Sequence, residues 1–162
     1  MVDATRQRAS GDRTAASPVR LRIAAADIDV PVVTTGVTDD GDMQLPGTVR
    51  RAGWYRFSAT PGASTGRTVI AAHVDTREEG LGSFARLRQV RSGDRVVVTD
   101  RSGADHAYQV VSRRHIARSR LPVDEVFGRG GHHRLVLVTC GGAYDLRNGY
   151  HDNVVVLAEP VQ

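Results

Sequence analysis

The feature that most constrains the fold is a series of short apolar segments, each too short for a stable helix and each bounded by turn-forming residues. Segments 19–23 and 28–30 alternate apolar and polar residues, the pattern of a strand with one buried face. Asp, Gly and Ser residues between segments, as in 39–42 and 101–104, favour tight turns. Further strand-like segments recur along the chain: 68–73, 94–99, 106–111, 134–139 and 153–158.

About eight such strands at short spacing favour an all-β barrel or sandwich over a doubly wound α/β fold. Helix is expected in two short places. Segment 81–87 can form one or two helical turns, and segment 121–127 can form a short helix with Pro122 near its start. The sequence therefore predicts an all-β domain with one or two short helices.

The length and the composition of the first residues define the expected domain. A chain of 162 residues has room for one domain with a sizeable core. Residues 1–17 are polar and rich in Ala, Arg, Ser, Thr and Asp, so we expect a disordered lead-in or the stump of a linker whose upstream anchor lies outside this sequence. The folded domain is expected over residues 18–162.

All 22 positive charges are arginines, and the formal net charge is +4. A basic surface of this kind suits anionic surroundings such as phospholipid headgroups or acidic wall polymers. The arginines are spread over the whole length, and neither an arginine-rich helix nor an RNA-binding aromatic signature is present. We therefore predict no nucleic-acid partner.

The chain has one cysteine, Cys140, which follows the apolar segment 134–139 and precedes two glycines. It has no partner for an internal disulfide, and a thiol between a strand and a glycine-rich stretch is a candidate nucleophile. His73 likewise ends an apolar segment. A free thiol is only slightly ionised at neutral pH, and a histidine can stabilise the thiolate or protonate a leaving amine. The two residues predict a Cys/His active site.

Short motifs surround these two residues in a definite order. They are Gly53-Trp54-Tyr55 with Pro61-Gly62, then His73-Val74-Asp75, then Leu87-Arg88 followed by Ser92-Gly93-Asp94, then Thr139-Cys140-Gly141-Gly142, and finally Asp152-Asn153 with a valine run. Over nearly all of the chain this series resembles the sortases, which are cysteine transpeptidases of the Gram-positive cell surface. Within that family, these motifs resemble those of the actinobacterial class F sortases.

The resemblance implies an eight-stranded β-barrel and a catalytic domain over residues 18–162. It also implies that the enzyme cleaves an LPxTG-like C-terminal sorting signal through an acyl-thioester on Cys140, and transfers the acyl group to an amine of a cell-wall precursor or a pilin. The whole protein would lie on the extracellular face of the membrane, held by an N-terminal anchor. No cofactor and no metal are expected.

The third catalytic residue of the sortases is an arginine near the start of the last strand, suited to stabilise an oxyanion. Its usual register falls here near Asn153, with His151 two residues earlier, and Arg147 is the only arginine after Cys140. We predict that Arg147 has the oxyanion role, with Asn153 or His151 as alternative donors. Thr139 and Asn153 are predicted to contact the substrate.

Two alternatives remain open from the sequence. A metal-dependent hydrolase would use His73, Asp75 and either His132 or His133 as ligands, and a non-catalytic sortase-like barrel would bind a partner without acylation. Asp75 can instead orient the His73 imidazole or cap a turn. The remaining residues of interest have structural interpretations: His132 and His133 in an exposed loop, His106 and His115 at surface strand positions, and Trp54 in the core.

Overall fold

A computed structural model describes residues 16–39, 41, 43–76, 78–117, 123–145 and 149–161, with side chains for all of these except 123, 124, 140–145 and 149–152. Ten strands are assigned: β1 Pro18–Ile23, β2 Ile28–Thr35, β3 Ala52–Tyr55, β4 Arg67–Ala72, β5 Asp75–Thr76, β6 Gly80–Leu81, β7 Arg95–Asp100, β8 Asp105–Ala117, β9 Arg134–Asp145 and β10 Gly149–Pro160. The helical elements are two 3-10 helices, Ala24–Ala26 and Ser83–Gln89, and the α-helix α1, Val123–Phe127.

Eight of these strands form a closed barrel in the order β1-β2-β3-β4-β9-β10-β8-β7, and β5 pairs with β6 in a small separate hairpin. The prediction of an eight-stranded, all-β barrel with short helices is confirmed. Most neighbours are antiparallel, but β2–β3 and β4–β9 are parallel. The β4–β9 pair sets the position of the candidate site, because parallel strands end at the same edge of a sheet.

The apolar segments of β4, β9 and β10 do not alternate with polar residues, because both faces of these strands are buried. One face fills the barrel with residues that include Ile70, Leu137 and Val156. The other face carries a second cluster, which we call the outer cluster. Its buried members are Val69, Val126, Val136 and Val155, with Met43, Tyr55, Ile116, Phe127, Val138 and Leu157 packed against them.

Trp54 lies in the barrel interior, 7% exposed, with its indole N–H donating to the carbonyl of Ala59 at 3.1 Å. This confirms its predicted core position. The side chain of Phe84, on the second 3-10 helix, also enters the interior cluster. That helix, Ser83–Gln89, overlaps the segment 81–87 that was predicted to be helical.

β9 runs on through Asp145, so the prediction that a strand stops at Cys140 is wrong. What ends there is the pairing with β4, whose last paired residues are Ala72 and Thr139. Beyond that point β9 continues against β10 alone, with an irregularity between Tyr150 and Asp152. The glycines after Cys140 therefore lie in a part of β9 that no longer pairs with β4.

His133, predicted in an exposed loop, is instead buried, and His106 is partly covered at its predicted strand position. His133 is 4% exposed, with Nε2 2.7 Å from the Tyr108 hydroxyl and Nδ1 3.1 Å from the Gly66 carbonyl. Because that carbonyl can only accept, Nδ1 carries the proton and Nε2 accepts from Tyr108. His106 is half-buried, with Nε2 2.7 Å from a carboxylate oxygen of Asp100.

The buried His133 ring predicts a loss of stability in acid. Burial lowers the pKa of His133, so the unfolded chain takes up this proton at a higher pH than the folded chain. The free energy of unfolding should then be unaffected above about pH 6.5 and fall as the pH drops below that unfolded value. Thermal melts of the wild type, His133→Gln and the exposed neighbour His132→Gln between pH 7.5 and 5.0 measure this effect. A wild-type acid dependence that His133→Gln leaves unchanged would contradict the assignment to this ring.

Candidate active site

The parallel pairing of β4 and β9 brings the two predicted catalytic positions to one edge. Arg67 pairs with Arg134, and the register continues to Ala72 and Thr139. His73 and Cys140 are the next residues on their strands. Since paired strands lie about 4.8 Å apart, the backbone places these two positions side by side.

Asn153 lies on the other side of Cys140. It pairs with Cys140 across the β9–β10 ladder and with Ile116 across the β8–β10 ladder. Alternation along the strands gives the Cys140 position the same face as Val136 and Val138, and Asn153 the same face as Val155. The candidate site therefore lies on the barrel's outer face, beside the outer cluster.

The side chain of Thr139, predicted to contact the substrate, faces the barrel interior and is buried. It is 2% exposed on the inner face, and its hydroxyl donates to the Ala72 carbonyl at 2.6 Å. This hydrogen bond joins β9 to β4 one residue before Cys140 and His73. The Thr139 side chain thus joins the two strands next to the candidate site.

Thr139→Val keeps the shape of the side chain and removes the hydroxyl. Because the Ala72 carbonyl loses a buried donor, we expect the free energy of unfolding to fall by about 1–3 kcal/mol. Thr139→Ser, which retains the hydroxyl, should lose less. Urea unfolding of the three proteins measures both effects, and a valine variant as stable as the wild type would show that the hydroxyl contributes nothing.

A second set of contacts holds the chain that follows His73. The Glu79 carboxylate accepts from the Thr48 hydroxyl at 2.6 Å and from the Val49 backbone N–H at 3.1 Å. These hydrogen bonds, the Thr48 bond first, lower the pKa of Glu79. The Gly82 N–H donates to the Val74 carbonyl at 2.8 Å, which closes the hairpin.

The sequence did not indicate these bonds of Glu79 to Thr48 and Val49, because a Glu in a polar stretch is usually a solvated charge. Gly82 shows how close the packing is: a Cβ there would lie 2.6 Å from the Val49 Cβ. Asp75, the other acidic residue near His73, lies in β5 opposite Leu81.

The other predicted site residues are distributed as follows. Arg147 lies outside the described residues, and the His151 backbone lies in β10. His115 is exposed on β8, as expected. Asn153 is half-buried at the start of the regular part of β10.

The metal-hydrolase alternative is wrong on geometric grounds. His132 and His133 directly precede Arg134, which pairs with Arg67 at the opposite end of the β4–β9 pair from His73. Six residues of strand, about 20 Å, separate the two ends. Neither His132 nor His133 can share an ion with His73 and Asp75.

The family model of the sortase domain matches residues 21–161, nearly the whole described domain. The chain belongs to the sortase family. No curated protein sequence matches it.

Solved sortase structures share the fold at low sequence identity. Streptococcus agalactiae sortase C1 aligns with a TM-score of 0.67 and 22% identity over 88% of this chain and 66% of its own. Streptococcus suis sortase C1 aligns with a TM-score of 0.68 and 18% identity, covering 96% of this chain and 80% of its own. Streptomyces coelicolor sortase E1, solved with a tripeptide in the active site, aligns with a TM-score of 0.66 and 19% identity over 91% and 90% of the two chains.

The sortase domain described here spans just under two thirds of the length of the first of these structures. Within the described part of the chain, no helix has the length and apolar character needed to cross a bilayer.

Proposed function

We propose that this domain is the catalytic domain of a class F sortase that cleaves an LPxTG-like sorting signal and transfers the acyl group to an amine. The observation that carries the proposal is the register of β4 and β9, which gives His73 and Cys140 adjacent positions at one edge. The class F assignment rests on the motif series around these residues, including Thr139-Cys140-Gly141-Gly142 and Asp152-Asn153.

In the proposed reaction the Cys140 thiolate attacks the carbonyl carbon of the Thr–Gly peptide bond, and the carbonyl electron pair moves onto oxygen. Collapse of this oxyanion breaks the C–N bond, and His73 gives a proton to the departing glycine amine. An acceptor amine then attacks the thioester, His73 takes its proton, and the thiolate leaves. The products are a new amide and the free enzyme.

The outer cluster offers apolar surface for the leucine and proline of such a signal. Tyr55 packs edge-on against Phe127 of α1 and against Phe57, with ring centroids 5.5 Å and 5.4 Å apart. Ile116, which pairs with Asn153, and Val138, two residues before Cys140 on β9, lie in the same cluster. Aromatic and aliphatic walls of this kind bind apolar peptide side chains by excluding water.

The decisive experiment is to mix the protein with an LPETG-type peptide and search for the acyl adduct by mass spectrometry. The proposal expects a mass increase on the peptide that contains Cys140, removed by hydroxylamine or by a glycine-based amine. Absence of the adduct across peptides that vary in the LPxTG positions would favour the non-catalytic binding module instead.

The oxyanion donor is tested separately. If Arg147 donates to the oxyanion, Arg147→Lys keeps the charge but loses the planar fork, and kcat should fall about a hundredfold. Asn153→Ala is the matched alternative, because Asn153 pairs directly with Cys140. A normal kcat in both Arg147→Lys and Arg147→Ala, with a collapse in Asn153→Ala, would move the role to Asn153.

The proposed partners follow from the same chemistry. The donor is the sorting-signal peptide of a surface protein, and the acceptor is an amine of a cell-wall precursor or a pilin. We place the whole protein on the extracellular face of the membrane, held by a segment outside this sequence. The positive net charge of the domain favours an anionic envelope.

A further inference from the structure

A basic cavity lies on the opposite face of β8 from the outer cluster. Arg114 and its partner Val155 face outward, where Arg114 forms an ion pair with Glu125 of α1. Arg113, which precedes Arg114, pairs with Val156. Val156 faces the barrel interior, so Arg113 lies on that face of β8. There a cavity of about 730 Å³ is lined by Ala25, Arg88, Gln89, Arg91, Asp94 and Arg113.

The charge of this cavity is unbalanced. Three arginines line it, and Asp94 is the one acidic residue among its lining residues that the structure describes. One oxygen of that carboxylate already accepts the backbone N–H of Arg91 at 2.8 Å. Arg88 has a further interaction of its own, so the excess is counted on Arg91 and Arg113 against Asp94, which leaves one formal positive charge. A net positive lining in an open site attracts anions.

The cavity walls are held by specific hydrogen bonds. Arg113 donates through Nη1 to the carbonyls of Arg88 and, at 3.1 Å, of Val90, so it is fixed to the end of the second 3-10 helix. The turn that carries Arg91 is fixed to β8, since the Gly93 N–H donates to the Val110 carbonyl at 2.8 Å. Ser92 adds a hydroxyl bond to the Val111 carbonyl at 2.8 Å. The backbone at Arg88 is therefore held by Arg113, and the backbone of the turn at Arg91 is held by β8.

We propose that this cavity binds phosphate groups, as the ester of a lipid headgroup or of a soluble phosphate-bearing molecule. Guanidinium groups offer planar, permanently charged pairs of donors that match phosphate oxygens, and several of them suit a dianion better than one carboxylate. The volume accommodates more than a bare phosphate, so a phosphate with an attached polar group fits. The proposal does not depend on the transpeptidase function, because the cavity and the Cys140 position lie on opposite faces.

Isothermal titration with inorganic pyrophosphate and with glycerol 3-phosphate, at about 50 mM salt, tests the site on the wild-type domain. Arg91→Gln removes one cavity charge without removing the bonds of Arg113, and Arg101→Gln removes the same charge from an exposed turn at the far end of β7. We expect Arg91→Gln to weaken pyrophosphate binding about tenfold, and Arg101→Gln to weaken it less than twofold. Malonate, a dicarboxylate, serves as the competing anion class.

Three outcomes would overturn the proposal: no saturable pyrophosphate binding below about 10 mM, equal weakening in both variants, or malonate binding as tight as pyrophosphate.

Sedimentation with phosphatidylglycerol vesicles, with phosphatidylcholine vesicles as the control, identifies the source of the phosphate group. Vesicle binding that depends on Arg91 and is displaced by glycerol 3-phosphate indicates a lipid headgroup. Binding of the soluble anions alone indicates a soluble phosphate-bearing ligand. A wild-type domain that binds pyrophosphate but forms no acyl adduct with LPETG-type peptides would contradict the proposed transpeptidase function only.

Discussion

Cys140→Ala should eliminate peptide cleavage and the acyl adduct while the domain stays folded. Alanine offers no nucleophile, and the acyl-thioester cannot form without sulfur. The residue lies beyond the last β4–β9 pair, where β9 pairs with β10 alone, so the substitution removes little from the barrel interior. Turnover of a fluorogenic LPETG-type peptide and a thermal melt measure the two effects together.

Cys140→Ser is the control for this substitution, because it keeps the size and replaces only the nucleophile. A hydroxyl is far less ionised than a thiol at neutral pH, so the serine variant should bind the peptide and turn it over very slowly. Turnover of the alanine variant above the uncatalysed rate would remove the cysteine mechanism. A lost melt transition in both variants would instead assign Cys140 to stability.

The sequence predicted the strands of the barrel, including the two that lead to His73 and Cys140, because strand formation depends on short-range patterns. The apolar segments that end at His73 and Cys140 are strands buried on both faces, and such strands have a strong sequence signal. The parallel pairing that brings them together depends on contacts between residues far apart in sequence. No local pattern in the sequence predicts that pairing, and the resemblance to a family implied only the eight-stranded barrel.

Other features had no local signal. β8 extends to Ala117, six residues beyond the predicted end, because Ser112–His115 pair with β10 through backbone bonds that polar side chains do not reveal. His133 looked exposed beside two glycines, yet its two nitrogens meet Gly66 and Tyr108 from distant segments. Polar residues in strands and buried polar pairs are decided by tertiary contacts, so a single sequence underdetermines them.

His73→Ala should lower kcat about a thousandfold, because the imidazole both favours the thiolate and protonates the leaving amine. General acid–base catalysis by one side chain typically raises the rate by about 10²–10⁴. The loss should be much larger than that of His115→Gln, an exposed histidine on β8. Steady-state turnover of the same fluorogenic peptide measures both variants. A fall of less than about tenfold in His73→Ala would make His73 a packing residue.

The two tasks of His73 separate when the leaving group changes. An activated ester of the same peptide releases an anion that needs no proton, so only the thiolate contribution of His73 remains. If His73 acts mainly as the acid, His73→Ala should react with the activated ester almost as fast as the wild type while its peptide cleavage stays low. If His73 mainly stabilises the thiolate, both substrates should slow to the same degree, and alkylation of Cys140 by iodoacetamide should shift to higher pH in the variant. The adjacent register of His73 and Cys140 is compatible with either role, because one strand spacing lets an imidazole reach both the sulfur and a leaving amine bound beside it.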